Sequence, residues 1–228
     1  MKNTIIFYNK IGFKQGETLT FFLNENFDFR VENKIFSTQT LNKIKAFLKN
    51  LKFKKIKEKI IGFDISEKNK VLFIVVKEKL VSNNFEELGA NFYSFIKASK
   101  IDKVNLYADT IKFFKLYKKN TELILRFIHG FSLKSYSFNK YKTQNKNIFY
   151  FLLKIVSSEK TLLNNNYFRY KAIESGVFQT RDLVSEPPNI LYPKKYVEII
   201  KKLSSLGLKI QIYDESKMKK LGMFALWA

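Results

Sequence analysis

Two hydrophobic patterns alternate along the first two thirds of this chain, short runs that suit β-strands and stripes that suit helices. The strand-like runs are found within 5–23 and at 61–65, 71–76, 104–107 and 148–156. The stripes, in which apolar residues recur at intervals of three and four, lie at 41–51, 85–96 and 123–131. Strands that alternate with helices in this way predict an α/β domain built on a largely parallel or mixed sheet.

The run at 71–76 contains no polar residue, which is typical of a central strand covered on both faces of a sheet. The stripe at 41–51 carries Lys43, Lys45 and Lys49 on its other side. A basic amphipathic helix of this kind can lie on a membrane surface. It also fits a surface helix packed on a sheet, and this is the interpretation we favour.

A polar stretch at 157–160 interrupts the alternation and marks a predicted domain boundary. Behind it, apolar residues from Phe168 to Phe178 recur at helical spacing and predict a long helix that leads towards Glu186. The prolines at 187–188 must end this helix, because proline cannot donate to the helical ladder and clashes with the preceding turn.

Pro193 opens the next predicted helix and Gly207 closes it, which is the usual arrangement of proline at the start and glycine at the end. Beyond Gly207, the apolar residues Leu208, Ile210 and Ile212 alternate with other residues. This alternation predicts a β-strand at 208–212.

The composition narrows the class of protein. A chain of 228 residues can hold one sizeable core, or one domain and part of another, and 46% hydrophobic residues argue against disorder. The absence of cysteine excludes disulfides, thiolate nucleophiles and cysteine-based metal sites, and it favours a reducing compartment.

No apolar run approaches the roughly 20 residues that span a bilayer. We therefore predict a cytoplasmic protein without a membrane partner.

The formal net charge of +22 raises the possibility of nucleic-acid binding. The four arginines are a small share of the 42 basic residues, and arginine is the residue that reads guanine bidentately. The charge therefore predicts weak, non-specific binding of polyanions rather than sequence-specific recognition of DNA.

Candidate chemistry is sparse. His129 is the sole histidine and lies within an apolar stripe, without a Gly-x-Ser-x-Gly elbow in the chain. This setting predicts a packed or edge histidine rather than a general base. The glycines are too widely spaced for a phosphate-binding loop.

Asp182 and Glu186 lie four residues apart and would share one helical face. They could anchor a metal at two points, or form a solvated or capping pair beside Arg181. We favour the second interpretation, because no histidine or further carboxylate lies at ligand spacing. The acidic residues 214–215 fit the start of a helix. The sequence therefore predicts no catalytic, metal-binding or substrate-binding residue.

Three stretches nevertheless carry distinctive motifs, of which the most specific is TRDLVSEPPNILYP at 180–193. This stretch resembles the Arg-Asp-Leu-Val-Asn-Glu-Pro-Pro-Asn run of the leucyl (cytosol) aminopeptidase family, a group of two-metal exopeptidases. The others are HGFSLKSYSFNKYKT at 129–143 and IQIYDESKMKKLGMFAL at 210–226, with weaker similarity at 87–97. Ser185, His129 and Phe224 depart from the family pattern, which usually has asparagine, a small or acidic residue, and glycine at these places.

The resemblance implies an α/β architecture, with a macro-domain-like mixed sheet flanked by helices, a connecting helix and an incomplete second α/β domain. The expected domains are a macro-like domain at 1–157, the connecting helix at 158–186 and a truncated start of the catalytic domain at 187–228. In complete family members two divalent metals, Mn or Zn, activate the water that attacks the first peptide bond.

In the family, the metal ligands lie in a lysine-bearing segment and in an Asn-Thr-Asp-Ala-Glu-Gly-Arg segment, and neither occurs in this chain. The resemblance therefore implies an inactive, non-catalytic portion of an aminopeptidase that binds no cofactor of its own. Its expected partner is a separately encoded catalytic half. The family is homohexameric, whereas this portion alone is expected to be monomeric. The alternatives are a macro-like module that binds protein or polyanion, and a gene remnant without a selected role.

Overall fold

The computed structural model describes residues 3–12, 14–31, 35–53, 58–77, 82–113, 120–143 and 148–226, and it divides into two compact units, Met1–Phe178 and Gln179–Ala228. The strands of the first unit are β1 Thr4–Tyr8, β2 Thr18–Asn24, β3 Ile60–Ser66, β4 Asn69–Val76, β5 Lys103–Tyr107 and β6 Leu152–Val156. The longer helices are α1 Thr38–Phe53, α2 Ser82–Ala98, α3 Asn120–Ser135 and α4 Lys160–Ser185. The predicted alternation of strands and helices is therefore confirmed.

The six strands form one mixed sheet in the order β1-β6-β5-β2-β4-β3. Neighbouring strands run parallel except for β3, which pairs with β4 in the antiparallel direction. The unbroken apolar run of β4 is explained by burial on both faces, since residues 71–74 are fully buried. The edge strand β3 instead alternates between more and less exposed residues, as expected for a strand with a solvated face.

Each face of the sheet supports its own core. On one face, Leu72 and Ile74 of β4 belong to a cluster with the buried residues of α2 and α3. On the other face, Val71 and Phe73 belong to a cluster with Ile44 and Leu48 of α1. The helix at 41–51 thus packs on the sheet, and the surface-helix interpretation of its lysine stripe is confirmed.

Helices α2 and α3 approach each other closely at two glycines. A Cβ atom at Gly89 would lie 1.9 Å from the carbonyl oxygen of Phe127, and one at Gly130 would lie 1.9 Å from the carbonyl oxygen of Glu86. Real side chains do not tolerate such distances to backbone atoms. The absence of a side chain at these two positions therefore sets the spacing of the helix pair.

The long helix predicted before Pro187 is confirmed as α4. In the second unit, α5 spans Pro193–Lys201 and continues as a 3₁₀ helix, Lys202–Leu206, which Gly207 ends with a φ of 86°. A last α-helix, α6, spans Glu215–Lys220. The Asp214 side chain caps it by accepting a hydrogen bond of 2.9 Å from the amide of Lys217, so the predicted helix start is correct.

The strand predicted at 208–212 is wrong for this structure, since these residues form neither a strand nor a helix. The alternation of apolar residues is present, but a strand also needs a neighbour for its backbone N–H and C=O groups. No described residue supplies that neighbour. No helix of the described ranges is long and apolar enough to cross a membrane.

Candidate functional site

The candidate site is a small cavity of about 40 Å³ at the edge of the sheet where the parallel strands end. Tyr107 is the last residue of β5 and Val156 the last of β6, and the two are register partners. The lining residues are Asn9, Phe21, Val31, Ile35, Tyr107, Asp109, Thr110, Phe113, Val156 and Ser157. Open α/β sheets commonly bind ligands outside the carboxyl ends of their strands, which makes this edge the place to examine first.

Tyr107 is the most unusual residue of this cavity. Its side chain is 7% exposed and stacks on Phe21, with ring centroids 4.9 Å apart and planes 16° from parallel. Its hydroxyl is buried and has no hydrogen-bond partner among the described residues. Burial, together with the negative charge of Glu17, raises the pKa of Tyr107 to about 12. The phenol therefore stays protonated at neutral pH and can act as a hydrogen-bond donor.

Asp109 fixes the polar rim of the cavity by joining the end of β6 to the 3₁₀ helix that follows β5. Its carboxylate accepts hydrogen bonds from the Ser157 hydroxyl (2.6 Å) and from the Ser158 amide (2.7 Å). The Lys112 ammonium lies 3.4 Å away. Burial opposes the ionisation of Asp109, but these donors outweigh it and hold the pKa of the carboxyl below its usual range.

Stability should therefore depend on Asp109 in a pH-dependent way. Because its folded-state pKa lies below the ordinary 3.8, its contribution is complete above about pH 4 and is lost as the pH falls through the folded-state pKa. We expect Asp109→Asn to lower the free energy of unfolding by about 1–2 kcal/mol at pH 7, with a smaller difference at pH 3. Urea midpoints at both pH values measure this difference.

The matched control for this prediction is Asp64→Asn, which removes a mostly exposed carboxylate that lies 3.4 Å from Lys70. This variant should follow the wild type at both pH values, since exposed ion pairs contribute little. If Asp109→Asn lost the same free energy of unfolding at pH 3 and at pH 7, the lowered pKa of Asp109 would be contradicted.

Below the cavity, on the face of the sheet that carries Tyr107, three polar side chains are buried together. The ammonium of Lys154 in β6 donates to the Glu17 carboxylate, and Asn105 of β5 donates to its other oxygen over 2.7 Å. Burial raises the pKa of Glu17, but the bonds from Lys154 and Asn105 outweigh that effect and hold it below its usual range. The charges of Glu17 and Lys154 are paired, which suits structure rather than chemistry, whereas Asn105 Oδ1 is buried without a hydrogen-bond partner among the described residues.

His129 is a packed histidine, as predicted. It is buried in α3, and its Nδ1 lies 2.9 Å from Glu174 Oε1 of α4. The other Glu174 oxygen accepts hydrogen bonds from the hydroxyls of Ser132 (2.7 Å) and Tyr167 (3.0 Å). The carboxylate thus holds α4 against α3. Glu174 was missed in the sequence, although it shares a helical face with the buried residues Leu163 and Tyr167.

The acidic pair Asp182 and Glu186 belongs to the second unit. Asp182 lies exposed in the last turns of α4 and Glu186 follows the end of the helix. Across the described ranges, no three histidine, cysteine, aspartate or glutamate side chains are grouped so as to hold a metal ion. The described residues therefore do not fit the two-metal centre of the complete family enzymes.

This chain is similar in sequence to known proteins over part of its length. No family model matches it. It is 38% identical over 131 residues to a probable cytosol aminopeptidase of Phytoplasma mali, and 33% identical over 133 residues to that of Phytoplasma australiense. These matches cover 54% and 58% of this chain. By sequence, the chain is a relative of the cytosol aminopeptidases. It spans about a quarter of the length of these curated relatives, 25% and 26%.

Solved structures show the same fold. A mutant of tomato leucine aminopeptidase matches this cytosol aminopeptidase relative with a TM-score of 0.74 and 18% identity, over 97% of this chain and 46% of that chain. The bottromycin maturation enzyme BotP, solved in complex with Mn, matches with a TM-score of 0.62 and 12% identity, over 92% of this chain and 41% of its own. The mixed sheet flanked by helices is therefore an architecture that these proteins share.

Proposed function

We propose that this chain is the non-catalytic, amino-terminal portion of a cytosol-aminopeptidase-type exopeptidase and acts in the cytoplasm. The observation that carries the proposal is the sequence match of 33–38% identity that covers over half of this chain but only about a quarter of its relatives. The fold likeness supports it, because nearly all of this chain superposes on less than half of the tomato enzyme.

The role of this portion would be to present a folded platform rather than to perform the reaction. In the complete enzyme, two divalent cations would stabilise both the attacking water and the developing oxyanion. The described residues do not supply that centre. The sheet domain at 1–157, which we propose is macro-like, would instead be held to the catalytic portion through the connecting helix. The His129–Glu174 and Ser132–Glu174 bonds fix this helix against α3.

The purified chain should not hydrolyse leucine p-nitroanilide, with or without added Mn²⁺ or Zn²⁺, because its described residues do not supply a two-metal centre. Hydrolysis is measured as release of p-nitroaniline at 405 nm. The second sample is this chain co-expressed with the remainder of the Phytoplasma mali relative as a separate polypeptide. We expect activity only when both polypeptides are present.

A mock purification from cells without this chain corrects for host peptidases in that assay. Metal-dependent hydrolysis by the purified chain alone, abolished by EDTA and absent from the mock preparation, would show that the proposal is wrong. Activity of the remainder by itself, unchanged when this chain is added, would contradict the role as a required portion.

A further inference from the structure

One long stretch of this chain carries positive charge only. Residues 33–57 include eight lysines and neither aspartate nor glutamate. Helix α1 contributes four of these lysines, and all four are exposed: Lys43, Lys45, Lys49 and Lys52. Across the described ranges, the ion pairs are formed by other basic residues and none involves these four. The positive charge of α1 is therefore not neutralised by the described carboxylates.

An exposed aromatic ring lies within the same surface. Phe53 is the last residue of α1, and its side chain is 89% exposed. Lys45, Lys49 and Phe53 follow one another at intervals of four, so they form a row along one side of the helix, and Lys52 flanks this row. At a rise of 1.5 Å per residue, the three lysines extend over about 10 Å of the helix axis. We call these four residues the α1 surface.

A row of ammonium groups beside an exposed ring has the two features that bind single-stranded nucleic acid. The ammonium groups contact successive phosphates as point charges and release counterions, without reading the sequence. The ring offers a platform on which any unpaired base can stack. In a duplex the bases already stack on one another, so such a ring contributes little there. The α1 surface therefore suits single strands.

An anionic membrane fits α1 less well. A helix that lies on a membrane buries its apolar face in the lipid. The apolar face of α1 is already covered by the sheet, where Ile44 and Leu48 are 0% and 2% exposed. Phe53 is the one large apolar side chain that α1 leaves exposed. One ring is a small anchor for a lipid surface, whereas it is sufficient to stack on one base.

We propose that the α1 surface binds single-stranded nucleic acid without sequence specificity, with Lys45, Lys49 and Lys52 on the phosphates and the Phe53 ring stacked on a base. The net charge of +22 would add long-range attraction to the same ligand. This activity goes beyond the proposed function and is independent of it, because it needs no residue of a catalytic portion. It also gives a location to the polyanion binding that the composition predicts.

Binding is measured on the full chain by fluorescence anisotropy of a fluorescein-labelled oligothymidylate of about 20 nucleotides, between about 25 and 200 mM KCl. An oligouridylate of the same length distinguishes RNA from DNA as the source of the single strand. A duplex of the same length presents phosphates without unpaired bases. We expect both single strands to bind, with an affinity that falls steeply as the salt concentration rises.

Replacing Lys45, Lys49 and Lys52 together by glutamine tests the phosphate contacts. We expect single-strand binding at least about tenfold weaker at low salt, and a plot of log K against log salt that is less steep by about 2, as three phosphate contacts predict. The matched control changes the net charge equally at three exposed lysines of the β3–β4 turn and the α2–β5 connection, namely Lys68→Gln, Lys100→Gln and Lys103→Gln. This control should bind within about threefold of the wild type.

Two substitutions of Phe53 test the stacking. Phe53→Leu keeps an apolar side chain but removes the ring, whereas Phe53→Tyr keeps the ring. We expect Phe53→Leu to weaken binding of the single strand at least about fivefold and to leave binding of the duplex unchanged. Phe53→Tyr should stay within about threefold of the wild type for both ligands. Thermal unfolding followed by circular dichroism should be the same for all variants, because every substituted side chain is exposed.

Four results would overturn the inference. The first three are no binding of the single strand by the wild-type chain at the lowest salt concentration, an equal loss of affinity in the two triple-lysine variants, and single-strand binding by Phe53→Leu equal to that of the wild type. The fourth concerns vesicles of phosphatidylcholine and phosphatidylserine. Sedimentation of the chain with these vesicles, dependent on the three α1 lysines and without binding of either oligonucleotide, would assign the α1 surface to a membrane instead.

Discussion

Substitution of Gly130 by alanine should destabilise the first unit by about 3 kcal/mol, which corresponds to a fall in melting temperature of roughly 6–12 °C. The new Cβ would lie 1.9 Å from the carbonyl oxygen of Glu86, an atom of the α2 backbone that cannot rotate away. Relief requires the two helices to separate, and the aromatic contacts between them, such as Phe92 with Phe127 and with Phe131, would loosen. Differential scanning calorimetry measures the shift. Gly89→Ala should behave in the same way, because its Cβ meets the carbonyl oxygen of Phe127.

Gly176→Ala is the matched control, since this glycine also lies within a helix but a Cβ there would meet no atom of the described residues within 4 Å, apart from its own helix backbone and chain neighbours. Alanine is the better helix former by roughly 1 kcal/mol, so this variant should melt at the same temperature as the wild type or slightly higher. Equal melting temperatures for Gly130→Ala and Gly176→Ala would show that the α2–α3 spacing does not depend on the glycines.

Glu17→Ala is the second change with a large expected effect, a loss of about 3–5 kcal/mol in the free energy of unfolding at pH 7. The substitution leaves the Lys154 ammonium, which is 8% exposed, without its carboxylate partner on the covered face of the sheet. An unpaired buried charge must either stay desolvated or give up its proton, and both cost free energy. Urea unfolding followed by circular dichroism measures the loss.

Two further variants show whether burial is the cause. The double variant Glu17→Leu, Lys154→Met removes both charges and should recover most of the stability, because apolar residues of similar size tolerate this environment. Glu87→Ala breaks the Lys59–Glu87 pair, whose side chains are both more than half exposed, and should leave the unfolding midpoint unchanged. A double variant as unstable as Glu17→Ala would contradict the charge-burial explanation.

Many helices and strands could be predicted because their local patterns and their tertiary environment agree. The run at 71–76 is apolar throughout and became β4, covered on both faces. Pro193 and Gly207 bounded the predicted helix as expected, since both residues act through their own backbone geometry. The order of the strands lay beyond this reasoning. Periodicity says that a segment forms a strand, but it does not say which strand will lie beside it.

The partners of the buried polar groups likewise could not be predicted from the sequence. Lys154 interrupts an apolar strand, and Glu174 falls on the buried side of α4, so each departs from its local pattern in a way the sequence displays. Their partners, Glu17 and His129, lie 137 and 45 residues away along the chain. Only the folded chain brings these pairs together. The cavity lined by Tyr107 is likewise assembled from the ends of separate strands and the loops beside them.

By itself, the sequence determined the secondary structure of most segments, the α/β class and the relationship to cytosol aminopeptidases, because these depend on neighbouring residues and on contiguous motifs. The tertiary structure decided the strand order, the partners of the buried charges and the fate of 208–212. An alternating segment becomes a strand only where another strand accepts and donates its backbone hydrogen bonds. Pairing is a property of two segments in space, whereas periodicity is a property of one.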